Sequence, residues 1–241
     1  MKDALARILS RLDPEVAPSR NAGWQERRSA ETRVALLEAA IDSLVQLGYA
    51  RTSTTTIAEF ARITRGAMGH HYATKLDLIA AVIDYAAYKR MELYVEEIGR
   101  LSEEQRKDPG LAMELYVQNI STREYGAYLE LLVASRSDDE LRAVFVPKAK
   151  RYRQVWFSEM AKVFPGWEGK ESLLHLCSDF GTLLGEALVL NSDVIDSAAA
   201  RESLKRLAGR VIQLVRDGDL TIPPAPPRGA RRRKTARPRA G

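Results

Sequence analysis

Residues 52–75 read TSTTTIAEFARITRGAMGHHYATK, and the fold of the N-terminal part of the chain depends on this stretch. It opens with a cluster of Thr and Ser residues, which cap helices because their side-chain oxygens accept hydrogen bonds from free backbone N–H groups. Two short helical patterns follow, and neither is long enough to form a stable helix alone. Their spacing predicts a helix-turn-helix, packed through the apolar residues Ile57, Ala58, Ala61, Ile63 and Met68.

The second helix of a helix-turn-helix lies in the DNA major groove, so the residues around it are candidate DNA contacts. The guanidinium of Arg65 can pair bidentately with guanine, and the methyl group of Ala67 can meet a thymine methyl. Gly66 permits close approach, His70 can donate to a base edge or a phosphate, and Lys75 suits a phosphate. With three hydroxyl residues facing the other backbone wall, the predicted DNA-contacting residues are Ser53, Thr54, Thr55, Arg65, Gly66, Ala67, His70 and Lys75.

The same stretch resembles the DNA-binding domain of the TetR-type (tetracycline-repressor-like) transcriptional regulators. Their pattern is approximately T-[ST]-x-x-x-I-A-x-x-A-G-V-[ST]-x-G-x-L-Y-x-H-F-x-x-K-x-x-L. The matching residues are Ile57, Ala58, Ala61, Ile63, Thr64, Gly66, Met68, His71, Tyr72, Lys75 and Leu78. The resemblance implies a homodimeric regulator that binds a double-stranded DNA operator, with a second helical domain for a small-molecule effector and for dimerisation.

Two residues depart from this pattern. Arg62 replaces the glycine of the turn, a position that often needs a positive φ, so we expect some backbone strain there. Gly69 replaces a tyrosine that usually contacts a phosphate in the resembled family. A glycine weakens a helix by about 1 kcal/mol relative to alanine, and the tyrosine contact cannot be carried over to it.

The rest of the sequence shows helical periodicity and no convincing strand alternation, so we predict an all-α protein. An N-terminal three-helix helix-turn-helix domain is followed by a larger helical domain. The predicted organisation is a flexible leader at 1–27, a DNA-binding domain at 28–76, a ligand-binding and dimerisation domain at 77–218, and a disordered basic tail at 219–241. The helices of the second domain are predicted at about 77–98, from 109 onward, and at about 122–136, 138–164, 168–191 and 198–217.

The second domain contains candidate pocket residues and candidate dimer residues. The predicted pocket residues are Met91, Met113, Tyr116, Tyr128, Trp156, Phe157, Met160 and Phe180. The last two long helices each carry an apolar stripe, and one small domain cannot bury both, so we predict pairing with a second copy. Gly181 and Gly185 would let backbones approach closely there. The predicted dimer residues are Phe180, Leu183, Leu184, Ala187, Leu207, Val211 and Leu214.

The charge distribution and the cysteine count narrow the class of protein. Residues 220–241 carry seven Lys or Arg and no acid. Their charge of seven exceeds the net charge of +5 for the whole sequence, so the remaining residues are slightly acidic in total. Cys177 is the only cysteine, and we interpret it as a buried structural thiol. Adjacent residues of a helix point in different directions, so His70 and His71 do not share a metal-ligand site. No metal or cofactor is therefore predicted. No apolar run approaches the length of a membrane span and no secretory signal is recognisable. We therefore expect a cytoplasmic protein without a membrane partner.

Two other function classes remain open from the sequence. A helical enzyme is disfavoured, since no nucleophile elbow, dinucleotide-binding loop, P-loop or zinc-protease motif is present, and no catalytic residue is assigned. A DNA-organising protein that needs no ligand is compatible with the basic tail. A cavity within the second domain would favour a ligand-controlled regulator over this alternative, whereas an organising protein could be packed solid.

Overall fold

The computed structural model describes residues 1–14, 16–19, 21–195 and 197–223, which contain α-helices and no strand. The helices are α1 (Lys2–Leu12), α2 (Trp24–Leu47), α3 (Thr54–Ala61), α4 (Arg65–Gly69), α5 (Lys75–Arg100), α6 (Glu103–Arg106), α7 (Pro109–Ile120), α8 (Arg123–Ala134), α9 (Asp139–Val163), α10 (Glu171–Leu190) and α11 (Ala198–Asp217). The all-α prediction is confirmed, although α2 begins four residues earlier than expected and α6 was not predicted. The basic tail falls almost entirely on 224–241, outside the described residues.

Capping residues set the ends of the helices in the N-terminal domain. Gly48 ends α2 with φ at 76°, a conformation that favours glycine. Ser53 and Thr56 form a reciprocal capping box at the start of α3, and Thr74 and Asp77 form another at the start of α5. Helices α2, α3 and α4 then bury one apolar cluster against α5, so the short helices α3 and α4 are held against the long helices α2 and α5.

The second domain is built on the long helices α5 and α9, with α7, α8, α10 and α11 packed around them. Helix α7 separates α10 and α11 from the rest of the domain. Its crossing with α11 is close, because an ideal Cβ built on Gly209 would lie only 2.8 Å from the Cα atom of Gly110. Gly181 and Gly185 of α10 also face inward: added Cβ atoms would lie 3.6 Å from Met113 and 3.0 Å from Tyr116. The idea that these two glycines permit close packing between subunits is therefore wrong.

No linker separates the two predicted domains. The boundary expected at 76/77 falls inside α5, which begins in the helix-turn-helix and continues into the second domain. The apolar cluster around α2 also includes residues of α8 and α9, among them Leu131 and Phe145. The helix-turn-helix and the second domain therefore share one helix and one apolar cluster.

The N-terminal leader differs from the prediction. Residues 2–12 of the expected flexible segment form α1, which packs on α5 and α9 and buries Ala4, Leu5, Ile8 and Leu12. Arg7 fixes its orientation by an ion pair with buried Glu159, at 2.9 Å. The helical spacing of the leucines and isoleucine was visible in the sequence. What decided between a docked and a flexible leader was the complementary apolar surface on α9, which lies about 150 residues further along the chain.

We expect Ile8→Ala to lower the free energy of unfolding by about 2–4 kcal/mol, because it removes a large side chain with no exposed surface. For a chain of this size the corresponding fall in Tm is roughly 5–10 °C. Exposed Lys2 on the same helix supplies the control, and Lys2→Ala should leave Tm within about 1 °C. Thermal unfolding followed by circular dichroism measures both. Equal Tm values for the two variants would show that α1 does not stay docked in solution.

Helix α10 corrects the expectation about membrane-spanning length. Among the described helices, this 20-residue helix is long and apolar enough to cross a membrane by length and composition. In this fold it packs on α7, α9 and α11, and its Asp179 is paired with Arg153 of α9. Its apolar composition arises because one face contributes to the core and another face remains uncovered in the monomer.

Candidate nucleic-acid interface and internal cavity

Helix α4 has one buried face and one exposed face. Met68 is buried in the cluster formed with α2 and α3, while Arg65, Gly66 and His70 are exposed on the other side. The N-cap residue Thr64 accepts a hydrogen bond from the backbone N–H of Ala67 at 3.2 Å, which fixes the start of the helix. Three of the four predicted contacts on and beside α4 are thus exposed, and Ala67 is partly exposed, at the place where a recognition helix meets DNA.

The hydroxyl residues before α3 have divided roles. Thr52 is buried and hydrogen-bonded to Ser43 at 3.1 Å, and Ser53 is engaged in the capping box with Thr56. Thr55 is exposed and Thr54 is partly exposed at the first turn of α3. Of the three predicted contacts here, Thr55 has the most accessible side chain, and a DNA contact of Ser53 would have to add to its capping role.

Lys75 is turned away from the exposed face of α4. Its ammonium donates to the carbonyl oxygen of Tyr49 at 2.9 Å and lies 3.8 Å from the centroid of the Tyr49 ring. Burial lowers the pKa of this lysine below its ordinary value. A phosphate contact by Lys75 therefore requires the side chain to leave Tyr49, and that contact stays a prediction.

The turn between α3 and α4 has the conformation expected from the sequence. Arg62 lies in the left-handed region at φ 56° and ψ 38°, and it is the one described non-glycine residue with positive φ. We expect Arg62→Gly to raise the free energy of unfolding by about 0.5–1 kcal/mol, since glycine adopts this conformation without steric cost. Arg62→Ala is the control, because it removes the same charge and keeps the strain. Urea unfolding compares them, and equal stability of the two variants would contradict a strained turn.

A cavity of about 420 Å³ lies between α5, α7, α8, α9 and α10 of the second domain. Seven of the eight predicted pocket residues line it: Met91, Met113, Tyr116, Tyr128, Trp156, Phe157 and Met160. Phe180 does not, because it lies on the outer face of α10 and is 42% exposed. Cys177 is buried at the cavity wall, and burial raises the pKa of its thiol to about 11, as expected for a structural cysteine.

The cavity wall combines aromatic rings with a few polar groups. The rings of Tyr94 and Trp156 meet at 5.4 Å between centroids, and Trp156 meets Phe164 edge-on at 6.1 Å. Buried Arg90 and partly buried Glu186 are charged residues of the same wall. The sequence reading missed Arg90. The available signal was its position on α5 in helical register with Ile83 and Tyr94, where a cation interrupts an apolar stripe.

An ion cluster of Glu38, Asp42, Lys89, Arg123 and Glu124 connects the helix-turn-helix to the second domain. Glu38 of α2 accepts from Lys89 of α5 at 2.8 Å and is also paired with Arg123 of α8. Lys89 in turn lies 3.3 Å from buried Glu124. The cluster joins α2, α5 and α8, and Lys89 directly precedes the cavity residue Arg90 on α5.

The comparison with known families bears on α2 to α5. A family model described as bacterial regulatory proteins of the tetR family matches residues 36–82, which include all of α3 and α4. This match identifies the helix-turn-helix as a DNA-binding domain of the TetR type. TetR-family regulators bind DNA operators and effectors and act as dimers. This chain is therefore a DNA-binding transcriptional regulator of the TetR type, a class of proteins that is not enzymatic.

Relatives and solved structures agree with this assignment. An HTH-type transcriptional regulator of Mycobacterium tuberculosis is 29% identical over 149 residues, which cover 61% of this chain and 74% of that protein. The HTH-type transcriptional repressor BepR of Brucella suis is 35% identical over 68 residues, 28% of this chain and 32% of the repressor. A TetR-family regulator from Rhodococcus sp. superposes with a TM-score of 0.58 at 18% identity, covering 76% of this chain and 99% of that chain, which shows the shared fold.

Proposed function

We propose that this TetR-family protein is a repressor that binds a nearly palindromic operator as a homodimer and is released by a small effector held in the cavity. The observation that carries the proposal is the cavity in the second domain, whose wall includes α5, the helix that begins at the helix-turn-helix. The proposed DNA target and the similarity to bacterial regulatory proteins support action in the cytoplasm. The similarity to a named repressor supports repression over activation.

The proposed release depends on α5. An effector that pushes on the cavity part of α5 moves Lys89 together with its neighbour Arg90, and Lys89 is bound to Glu38 of α2. The ion cluster and the shared apolar core then carry this movement to α3 and α4. To weaken operator binding tenfold, the effector must bind the released state about 1.4 kcal/mol more tightly than the DNA-bound state.

The cavity favours a regulator over a DNA-organising protein that needs no ligand. A volume of about 420 Å³ with a mostly apolar wall is within the range of ligand pockets, roughly 300–1,000 Å³. An organising protein has no need for such a space, because empty volume in a core costs stability. The predicted contacts to DNA are the same in both cases, so the response to a ligand distinguishes them.

The test has two steps on the full chain. Selection from random duplexes identifies the operator, and a gel-shift titration at physiological salt compares it with unrelated DNA. Compounds that raise Tm are then added to the operator complex, with Ala87→Phe, which fills part of the cavity, as the control. We expect a clear preference for the operator and release that this variant suppresses. Equal affinity for operator and unrelated DNA, or stabilising compounds that never release it, would refute the proposal.

A further inference from the structure

The cavity contains a buried cation that the protein does not neutralise. Arg90 is only 5% exposed, its Nε atom has no hydrogen-bond partner, and its guanidinium forms no ion pair with any described carboxylate. The hydroxyl oxygen of Tyr125, on the same wall, is also buried without a partner. A buried charge without a partner is costly to the fold. This arrangement points to an acceptor that comes from outside the chain.

The residues around Arg90 stabilise its positive charge without accepting hydrogen bonds from its guanidinium N–H groups. Its Cζ atom lies 4.3 Å from the ring centroid of Tyr125, 5.6 Å from that of Tyr128 and 5.8 Å from that of Tyr152. Ring faces attract a cation, but they leave the N–H donors in the guanidinium plane unfilled. Asn119 donates to the backbone carbonyl of Arg90 at 2.7 Å and fixes this point of α5 against α7. The side chain is therefore held in place with free donors.

We infer that the effector is an amphipathic acid whose carboxylate binds Arg90 and whose aromatic or acyl body fills the apolar part of the cavity. Arginine and carboxylate pair through two parallel hydrogen bonds, the strongest arrangement that this side chain offers. The apolar body would lie against Met91, Met113 and Trp156. The inference rests on the proposed function, because it concerns the same cavity, and it adds an anionic head to the largely apolar effector.

Glu186 supplies the opposite charge in the same cavity. It lies on α10 near the hydroxyl of Tyr125 but outside hydrogen-bond geometry, and no described cation forms an ion pair with it. Burial raises the pKa of Tyr125, and nearby Glu186 raises it further. A carboxylate there repels an acidic head and directs it toward Arg90. Removal of this charge should therefore strengthen acid binding, whereas removal of the Arg90 charge should weaken it.

Calorimetry on the DNA-free full chain tests the inference with matched acids and amides. The probes are naphthalene-2-carboxylate, 4-phenylbutyrate and decanoate, each compared with its own primary amide, so that only the charge of the head differs. The three bodies separate aromatic from acyl ligands. For the wild-type chain we expect at least one acid to bind at least tenfold more tightly than its amide. If no acid is preferred over its amide, the inference is wrong.

Three variants test which residues cause the preference for an acid over its amide. Arg90→Gln should weaken the preferred acid at least tenfold and leave its amide within threefold, and Glu186→Gln should tighten the acid. Arg100→Gln removes the same charge from an exposed position of α5 outside the cavity, where Arg100 is paired with Glu96 and Glu97, and should leave both ligands within threefold. An equal loss for acid and amide in Arg90→Gln would assign Arg90 a structural role and overturn the inference. If Arg90→Gln does not fold, the wild-type comparison and Glu186→Gln still decide it.

The readouts separate this inference from the proposed function. Calorimetry reports binding to the protein alone, and a gel shift with the same ligand reports release of the operator. Acid binding through Arg90 without release would refute the proposed control of the operator and leave the inference standing. Release by neutral compounds, with no acid preferred over its amide, would refute the inference and leave the proposed function standing.

Discussion

The double variant Leu183→Glu and Leu207→Glu will be a monomer that keeps its helicity and binds the operator about 10²–10³-fold more weakly than the wild type. Leu183 is 65% exposed on α10 and Leu207 is 60% exposed on α11 in the monomer. Carboxylates at these positions would have to be desolvated in an apolar interface, which prevents pairing. Each monomer then contacts one half-site, so the affinity that comes from holding two half-sites together is lost.

The choice of these residues follows from the uncovered face of the two helices. Leu176, Phe180, Ala187 and Leu190 of α10 are exposed on the same side as Leu183. Leu184, Val211 and Leu214 are only partly exposed, so they stay proposed interface residues but are poorer places for a charge. Continuous exposed apolar surface of this kind marks an interaction site.

Light scattering and a gel-shift titration measure the two effects separately. The control is Leu93→Glu with Val133→Glu, which charges two exposed apolar residues on α5 and α8, outside the proposed interface. That control should remain dimeric and bind the operator normally. If the Leu183 and Leu207 variant also elutes as a dimer, the subunits pair through another surface.

Replacement of Arg65 will reduce specificity rather than binding in general. Arg65 is exposed at the start of α4, and its guanidinium can reach guanine O6 and N7 with two donors. We expect Arg65→Ala to cost about 1–3 kcal/mol on the operator, roughly 5–150-fold, and to relax the preference at one base pair. Affinity for unrelated DNA should change much less, because that binding depends on phosphates.

Arg65→Lys is the matched control for this assignment. Lysine keeps the positive charge and loses the planar fork, so it can replace arginine at a phosphate but not at a guanine read bidentately. We therefore expect Arg65→Lys to resemble Arg65→Ala in its loss of specificity. Titrations on the operator, on base-pair substitutions within it and on random duplexes measure the change. Equal losses of affinity on all three kinds of DNA would show that Arg65 contacts the DNA phosphate backbone instead of a base.

The sequence by itself determined the helix-turn-helix, the all-α fold and the ends of most helices. Those features depend on signals within a few residues of one another, such as the hydroxyl caps before α3 and α5 and the glycine after α2. The strain at Arg62 was predictable for the same reason, since a tight turn restricts φ locally. Seven of the eight predicted pocket residues also line the cavity, because large apolar side chains of amphipathic helices turn toward the interior of the domain.

Only the tertiary structure decided which partner each face and each charge meets. Helix α1 docks because α5 and α9 offer an apolar surface, Lys75 turns to Tyr49, and Gly181 faces α7 instead of a second subunit. Arg90 is the clearest case, since its sequence neighbours are those of an ordinary exposed cation. Whether a charge is neutralised depends on groups brought together from distant parts of the chain. Around Arg90 the fold places three tyrosine rings, and no described carboxylate forms an ion pair with it.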